Sequence, residues 1–166
     1  MKLDSRTIRE KQQITIDIPK IQDLKLKDKF FFIGSCFSTE ISSRLAERLI
    51  PSESNPFGVV FNPITILNQL NYFYSGDSNY LGLTYHEGKW HALNLSNKFQ
   101  SESKDDLIKI VSNIRETALK NFKESTQIII TLGTVFTWRH LKLNSKIGNC
   151  HKIPQSEFIK EKNSYH

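Results

Sequence analysis

Two side chains able to act as nucleophiles, Ser35 and Cys36, directly follow an apolar run, Phe30 to Ile33, and a glycine, Gly34. A serine hydroxyl attacks a carbonyl only when a base takes its proton and donors hold the oxyanion that forms. Four consecutive apolar residues read as a strand buried on both faces, as in a parallel sheet. Beyond the turn, Phe37, Ile41, Leu45 and Leu49 recur every fourth residue, which predicts a helix over 37–50 with that stripe inward. Ser35 therefore falls where the first N–H groups of a helix are unpaired and its dipole is positive. The competing role for Ser35 is a plain N-cap. Cys36 shares the positive helix end, where a thiolate is stabilised, but also suits a small buried apolar side chain.

A second apolar run, Gln127 to Leu132, ends in Gly133-Thr134. In open α/β sheets, sites form at the carboxyl ends of strands. The Gly34-Ser35-Cys36 and Gly133-Thr134 turns are therefore expected to share one cleft. Of the five histidines, His86 is expected at a hairpin turn, His166 at the exposed end and His140 on the surface of a charged, alternating stretch. Phe57, Phe61 and Trp90 are candidates for a pocket wall or for the core. The sequence holds no phosphate-binding glycine loop, dinucleotide fingerprint or paired metal-ligand motif, so no cofactor and no metal are expected.

The elements around these residues follow from pattern. Residues 1–12 are polar. Ile14, Ile16 and Ile18 alternate with polar neighbours as in a half-exposed strand or extended arm. Pro51 opens a loop, and a short strand is expected over 58–61. Asn62-Pro63 is a helix start, with Ile66, Leu70 and Phe73 inward and Ser75-Gly76-Asp77 at the end. Glu87-Gly88 between Tyr85 and Trp90 marks a hairpin. Ser103 caps a long amphipathic helix with Leu107, Val111, Ile114, Ala118 and Phe122 on one face. Helix feeding strand feeding glycine is the rhythm of a parallel sheet. Val135 to His151 reads as another hairpin turning near Asn144, and a polar tail follows from Gln155.

The chain has 166 residues and a mass of 19.3 kDa, enough for one domain with a true core. Net charge is +6, but the lysines are scattered among acids without a basic run, so nucleic acid is not an expected partner. No apolar run approaches a membrane span, and the charged N-terminus has no apolar signal region. A cytoplasmic location is the resulting expectation. Two cysteines, Cys36 and Cys150, give no disulfide framework. Nothing in the sequence specifies an oligomeric state.

Gly34-Ser35-Cys36-Phe37, Asn55-Pro56-Phe57-Gly58 with Asn62-Pro63, Trp90-His91, Thr131-Leu132-Gly133-Thr134 and Asn149-Cys150-His151-Lys152-Ile153-Pro154 occur in that order. The series resembles the GSCFA family, which is similar to the SGNH (GDSL-like) hydrolases. The resemblance covers residues 13–160, leaving 1–12 as a flexible segment and 161–166 as a tail. It implies an α/β fold, a three-layer α/β/α sandwich on a parallel sheet, incomplete in this chain and carrying β-hairpin insertions. It implies Ser35 as nucleophile, with Gly58 and Thr134 at the oxyanion hole. Cys36, Asn55, His91, Gly133, Asn149 and His151 would line the pocket, His91 and His151 lying in family motifs and so being the histidines to watch as base. Ser38 stands where the family has Ala, Ser96 where it often has a second His, and Thr134 where SGNH enzymes carry Asn. The chain is expected to match the N-terminal part of the family domain, without the late His block that supplies the SGNH base. Two function classes stay open: a serine esterase or acyltransferase acting on a small ester or acylated carbohydrate, and a non-catalytic or truncated binding module of the same fold.

Overall fold

The computed structural model describes residues 24, 25, 27–148 and 151–163. The arm expected over 14–18, the segment 1–12, and Asn149, Cys150 and His166 lie outside the described residues.

Strand β1 (Phe30–Gly34) is the middle of a three-stranded parallel sheet. It pairs on one side with β2 (Ser52–Ser54) and on the other with β6 (Gln127–Thr131). All five β1 residues are buried, as a run without polar alternation requires. Partners in a parallel ladder point to the same face, so the register Gly34 with Thr131 and Ile33 with Ile130 assigns the two faces. Helix α1 (Cys36–Glu47) covers the face of Phe30, Phe32 and Thr131, since Ser38 reaches Thr131. Helices α2 (Pro63–Ser75) and α3 (Lys104–Glu124) cover the opposite face. There Phe31 meets Phe73 at 5.9 Å and Phe122 at 5.2 Å, both edge to face, and Phe57 joins the same cluster. The result is three layers, helix on sheet on helices, in a mixed α/β chain.

Two small antiparallel sheets are attached. The first contains β3 (Leu83–His86), β4 (Lys89–Ala92) and β5 (Gln100–Ser101). Glu87 and Gly88 both take positive φ at its hairpin turn, as expected for a two-residue connection. The second contains β7 (Phe136–His140) flanked by β8 (Ser145–Ile147) and β9 (Phe158–Lys162). The predicted caps hold: Asn62 Oδ1 accepts the Thr65 N–H at 2.9 Å, and Ser103 Oγ accepts that of Asp106 at 3.2 Å.

Several expectations are corrected. Residues 58–61 are a connection rather than a strand, while the polar Ser52–Ser54 is the strand, held by the β1 ladder and not by any apolar pattern. The face that α1 buries carries Ser38 and Ser42, whereas Phe37 and Leu49 are exposed. Leu49 lies beyond the helix in a turn of positive φ. Ile128 and Ile130 are each 49% exposed, and β6 ends the sheet, with no strand on its outer edge among the described residues. The segment read as a tail supplies β9, which makes β7 a central strand and carries Glu161 and Lys162 within the sheet.

Candidate functional site

The turn at the carboxyl end of β1 fixes Ser35. Gly34 has φ +139°, and a Cβ there would lie 2.0 Å from the Thr131 carbonyl oxygen. Only glycine permits that backbone and so close an approach to β6. Ser35 occupies the N-cap position of α1, yet its side chain makes no capping bond. Its hydroxyl instead lies 2.9 Å from Thr131 Oγ1. The same Thr131 oxygen accepts the Ser35 N–H at 2.9 Å and meets Ser38 Oγ at 2.7 Å. A hydroxyl has one proton and two lone pairs, so three contacts saturate it. With one lone pair taken by the N–H, Thr131 donates to one serine and accepts from the other.

Asn55 pins the turn from the other side. It is buried with φ +45°, and its Oδ1 accepts the Gly34 N–H at 2.7 Å. Its Nδ2 donates to Thr39 Oγ1 at 2.9 Å and toward the Ser35 carbonyl at 3.4 Å. Both hydroxyl and backbone at position 35 are thus preset by β6 and by the loop after β2.

Next to this turn opens a cleft of about 320 Å³. The Val60 N–H donates to the Gly34 carbonyl, and the N–H groups of Gly133 and Thr134 both donate to the Phe61 carbonyl. These bonds lock the 58–62 connection between the ends of β1 and β6. The cleft wall includes Val59, Phe61, Gly133, Thr134, Trp138 and His151. The register of Gly34 with Thr131 sends the turns at 34–35 and 133–134 out of the same carboxyl end of the sheet. The strand order changes direction at β1, and such a switch point leaves a crevice beyond the strand ends.

A family model described as the GSCFA family matches residues 29–166. This chain belongs to the GSCFA family. Searches of the curated proteins and of the solved structures return no match.

The GSCFA motif residues fall into distinct places. Gly133, Thr134 and His151 line the cleft. Ser35, Asn55 and Gly34 build the turn behind it. The Gly58 N–H is bonded to the Asn55 carbonyl at 2.7 Å, whereas the next amide, Val59, lines the cleft and donates to no acceptor among the described residues. Gly58 is needed for space: at φ +89°, its Cβ would lie 2.2 Å from that of Ser96. Thr134 Oγ1 accepts the Phe136 N–H at 3.1 Å and keeps its own proton to donate. Cys36 is exposed at the start of α1.

His91 is buried on β4 rather than in the cleft wall; burial lowers its pKa, and its Nδ1 has no partner in the structure. His140, expected at the surface, is fully buried, because β8 and β9 flank β7 on both sides. Its Nδ1 accepts the Leu143 N–H, and burial lowers its pKa against the opposing pull of Glu157. Phe61 lines the cleft, while Phe57 is core and Trp90 packs on Tyr85 in its hairpin. Among the described residues, no group of three or more His, Cys, Asp or Glu is placed to hold a metal ion. No helix among them is long and apolar enough to cross a membrane.

Sequence reasoning missed Thr131 as the partner of Ser35, and Asn94, Trp138 and Lys160 in the cleft wall. Thr131 was visible as the first residue of the Thr131-Leu132-Gly133-Thr134 motif. Trp138 and Lys160 meet only through the long-range pairing of β7 with β9.

Proposed function

We propose that this domain is an SGNH-like serine ester hydrolase or acyltransferase. Ser35 is the nucleophile, and the substrate is a small ester or an acylated carbohydrate. The observation that carries this reading is the Ser35 hydroxyl itself. It is free of capping duty at a helix N-terminus and held by Thr131 Oγ1 at the rim of a parallel sheet. Attack by Ser35 Oγ on the ester carbonyl forms a tetrahedral oxyanion. Donors aimed at such an oxygen lower the barrier more than most other devices. The unengaged Val59 N–H, one residue beyond Gly58, and the Thr134 hydroxyl are the donors for it. Thr131 orients the nucleophile but is no base, because a neutral hydroxyl holds its proton at neutral pH. We assign His151, the histidine in the cleft wall, to take the serine proton.

The second reading, a binding module without catalysis, is favoured by one observation: the Ser35 hydroxyl is partnered by the hydroxyl of Thr131, which is no base. The two are separated by hydrolysis of 4-nitrophenyl acetate by the wild type and by Ser35→Ala. A catalytic Ser35 predicts at least about a hundredfold lower rate in the variant, with its melting temperature preserved. Equal rates in the two proteins would leave the binding module as the function of the fold.

A further inference from the structure

Among the described residues, the cleft wall contains no aspartate or glutamate, but it contains Lys160 and His151. Strand alternation explains the imbalance. Lys160 pairs with Trp138 and Lys162 with Phe136, so both lysines share the face of those two aromatic residues. Glu161, between them, points to the other face and is ion-paired with Arg139. The remaining acid nearby in sequence, Glu157, is taken by Lys142 at 3.1 Å. Lys160 and Lys162 have no carboxylate partner among the described residues, and the Lys160 ammonium lies 4.2 Å from the centroid of the Phe136 ring. An ammonium on an aromatic shelf beside an open cleft, with its natural counter-ion turned away, is a receptor for an anion carried on an apolar body.

Resting on the cleft being the substrate site of the proposed esterase, we propose that it selects ligands with a negatively charged group, a carboxylate or phosphate, beside an aromatic or alkyl body. Lys160 is the residue that reads the charge, and Trp138 with Phe136 receives the body. Lys160 is exposed, so the selectivity is modest and sensitive to salt.

The test is equilibrium binding, read by Trp138 fluorescence in a Trp90→Phe background, since the chain has two tryptophans. The probes are 4-phenylbutyrate, phenyl phosphate and the neutral 4-phenylbutyramide. At low ionic strength at least one anion is expected to bind about tenfold tighter than the amide, and the advantage shrinks in high salt. Which anion wins separates the carboxylate from the phosphate source. Lys160→Met removes the advantage, and Lys160→Arg retains it. Equal affinity for all three probes, no binding of any, or a preference untouched by Lys160→Met would overturn the proposal. In Ser35→Ala the preference persists. Loss of the preference with intact hydrolysis of 4-nitrophenyl acetate sinks only the charge selectivity, and a preserved preference without hydrolysis sinks only the esterase.

Discussion

Gly34 is required by two independent facts at one residue. Its φ of +139° lies where L side chains are strained, and the Thr131 carbonyl stands where a Cβ would go. Neither can relax alone, because the Ser35 N–H, one bond further on, is fastened to Thr131. Gly34→Ala is therefore expected to cost about 3 kcal/mol in urea unfolding, from backbone strain with steric displacement of β6. A loss under about 1 kcal/mol would mean that the turn is softer than its contacts imply. Residues whose role is set by neighbours in sequence were legible in advance: Asn62 before Pro63, Ser103 before its acidic turn and Gly34 after an apolar run. His140 was not, since its burial depends on β8 and β9 arriving from later in the chain. The hydroxyl pair of Ser35 and Thr131 is likewise a contact across 96 positions that no local pattern announces.

Elements were legible where their apolar pattern exceeded what chance spacing gives, and failed where pairing alone made them. The runs at β1 and β6 and the stripe of α3 are of the first kind; β2 and β9 are of the second. Helix α1 shows why a stripe is not a face. Its i, i+4 serines, Ser38 and Ser42, lie against the sheet because small side chains let helix and strand approach, and Phe37 is left at 60% exposure. Strand β6 shows the converse, an apolar strand whose outer edge has no partner strand among the described residues. Such edges recruit other strands. Ile130→Lys places a charge on that edge, at a side chain already half exposed. Its stem can lie along the sheet with the ammonium in water. The variant is expected to scatter less light on heating than the wild type, with a melting temperature within a few degrees of it. Unchanged aggregation would show that the chains associate through another surface.

At the scale of the whole molecule, the three sheets are joined by a small number of polar ties. Asn94 is one hub: Gln69 donates to its carbonyl, it donates to the Tyr80 carbonyl, and its Oδ1 accepts the Gly148 N–H. Lys152 is another, donating from Nζ to the carbonyl of Ala92 at 2.5 Å and toward that of Phe99 at 3.5 Å. It fixes the segment that carries His151 onto the hairpin sheet. Among the described residues no carboxylate is ion-paired with it, and burial pulls its pKa from 10.5 down to about 7. Nearby, His91 is lowered first by burial and then by the charges of Lys152, His86 and Lys89, against the hydrogen bond to the His86 carbonyl, which raises it. Between pH 7 and 10.5 the unfolded chain keeps a proton on Lys152 that the folded chain has released. Stability must therefore rise with pH across that window, by at most about 1.4 kcal/mol per unit, and less to the extent that the carbonyls favour the ammonium. His91 and His140, both lowered from 6.5, titrate on the acid side and leave this window alone. Lys152→Met keeps the stem in place and removes the titrating group. Urea unfolding at pH 7.5 and 9.5 is expected to give a stability difference for the wild type that exceeds that of the variant by about 1 kcal/mol or more. The carbonyls of Ala92 and Phe99 remain satisfied by Leu95 and Ala92 N–H groups, so the variant should fold. Parallel pH profiles for the two proteins would place the Lys152 ammonium in water, and the tie between the His151 segment and the hairpin would then be steric rather than electrostatic.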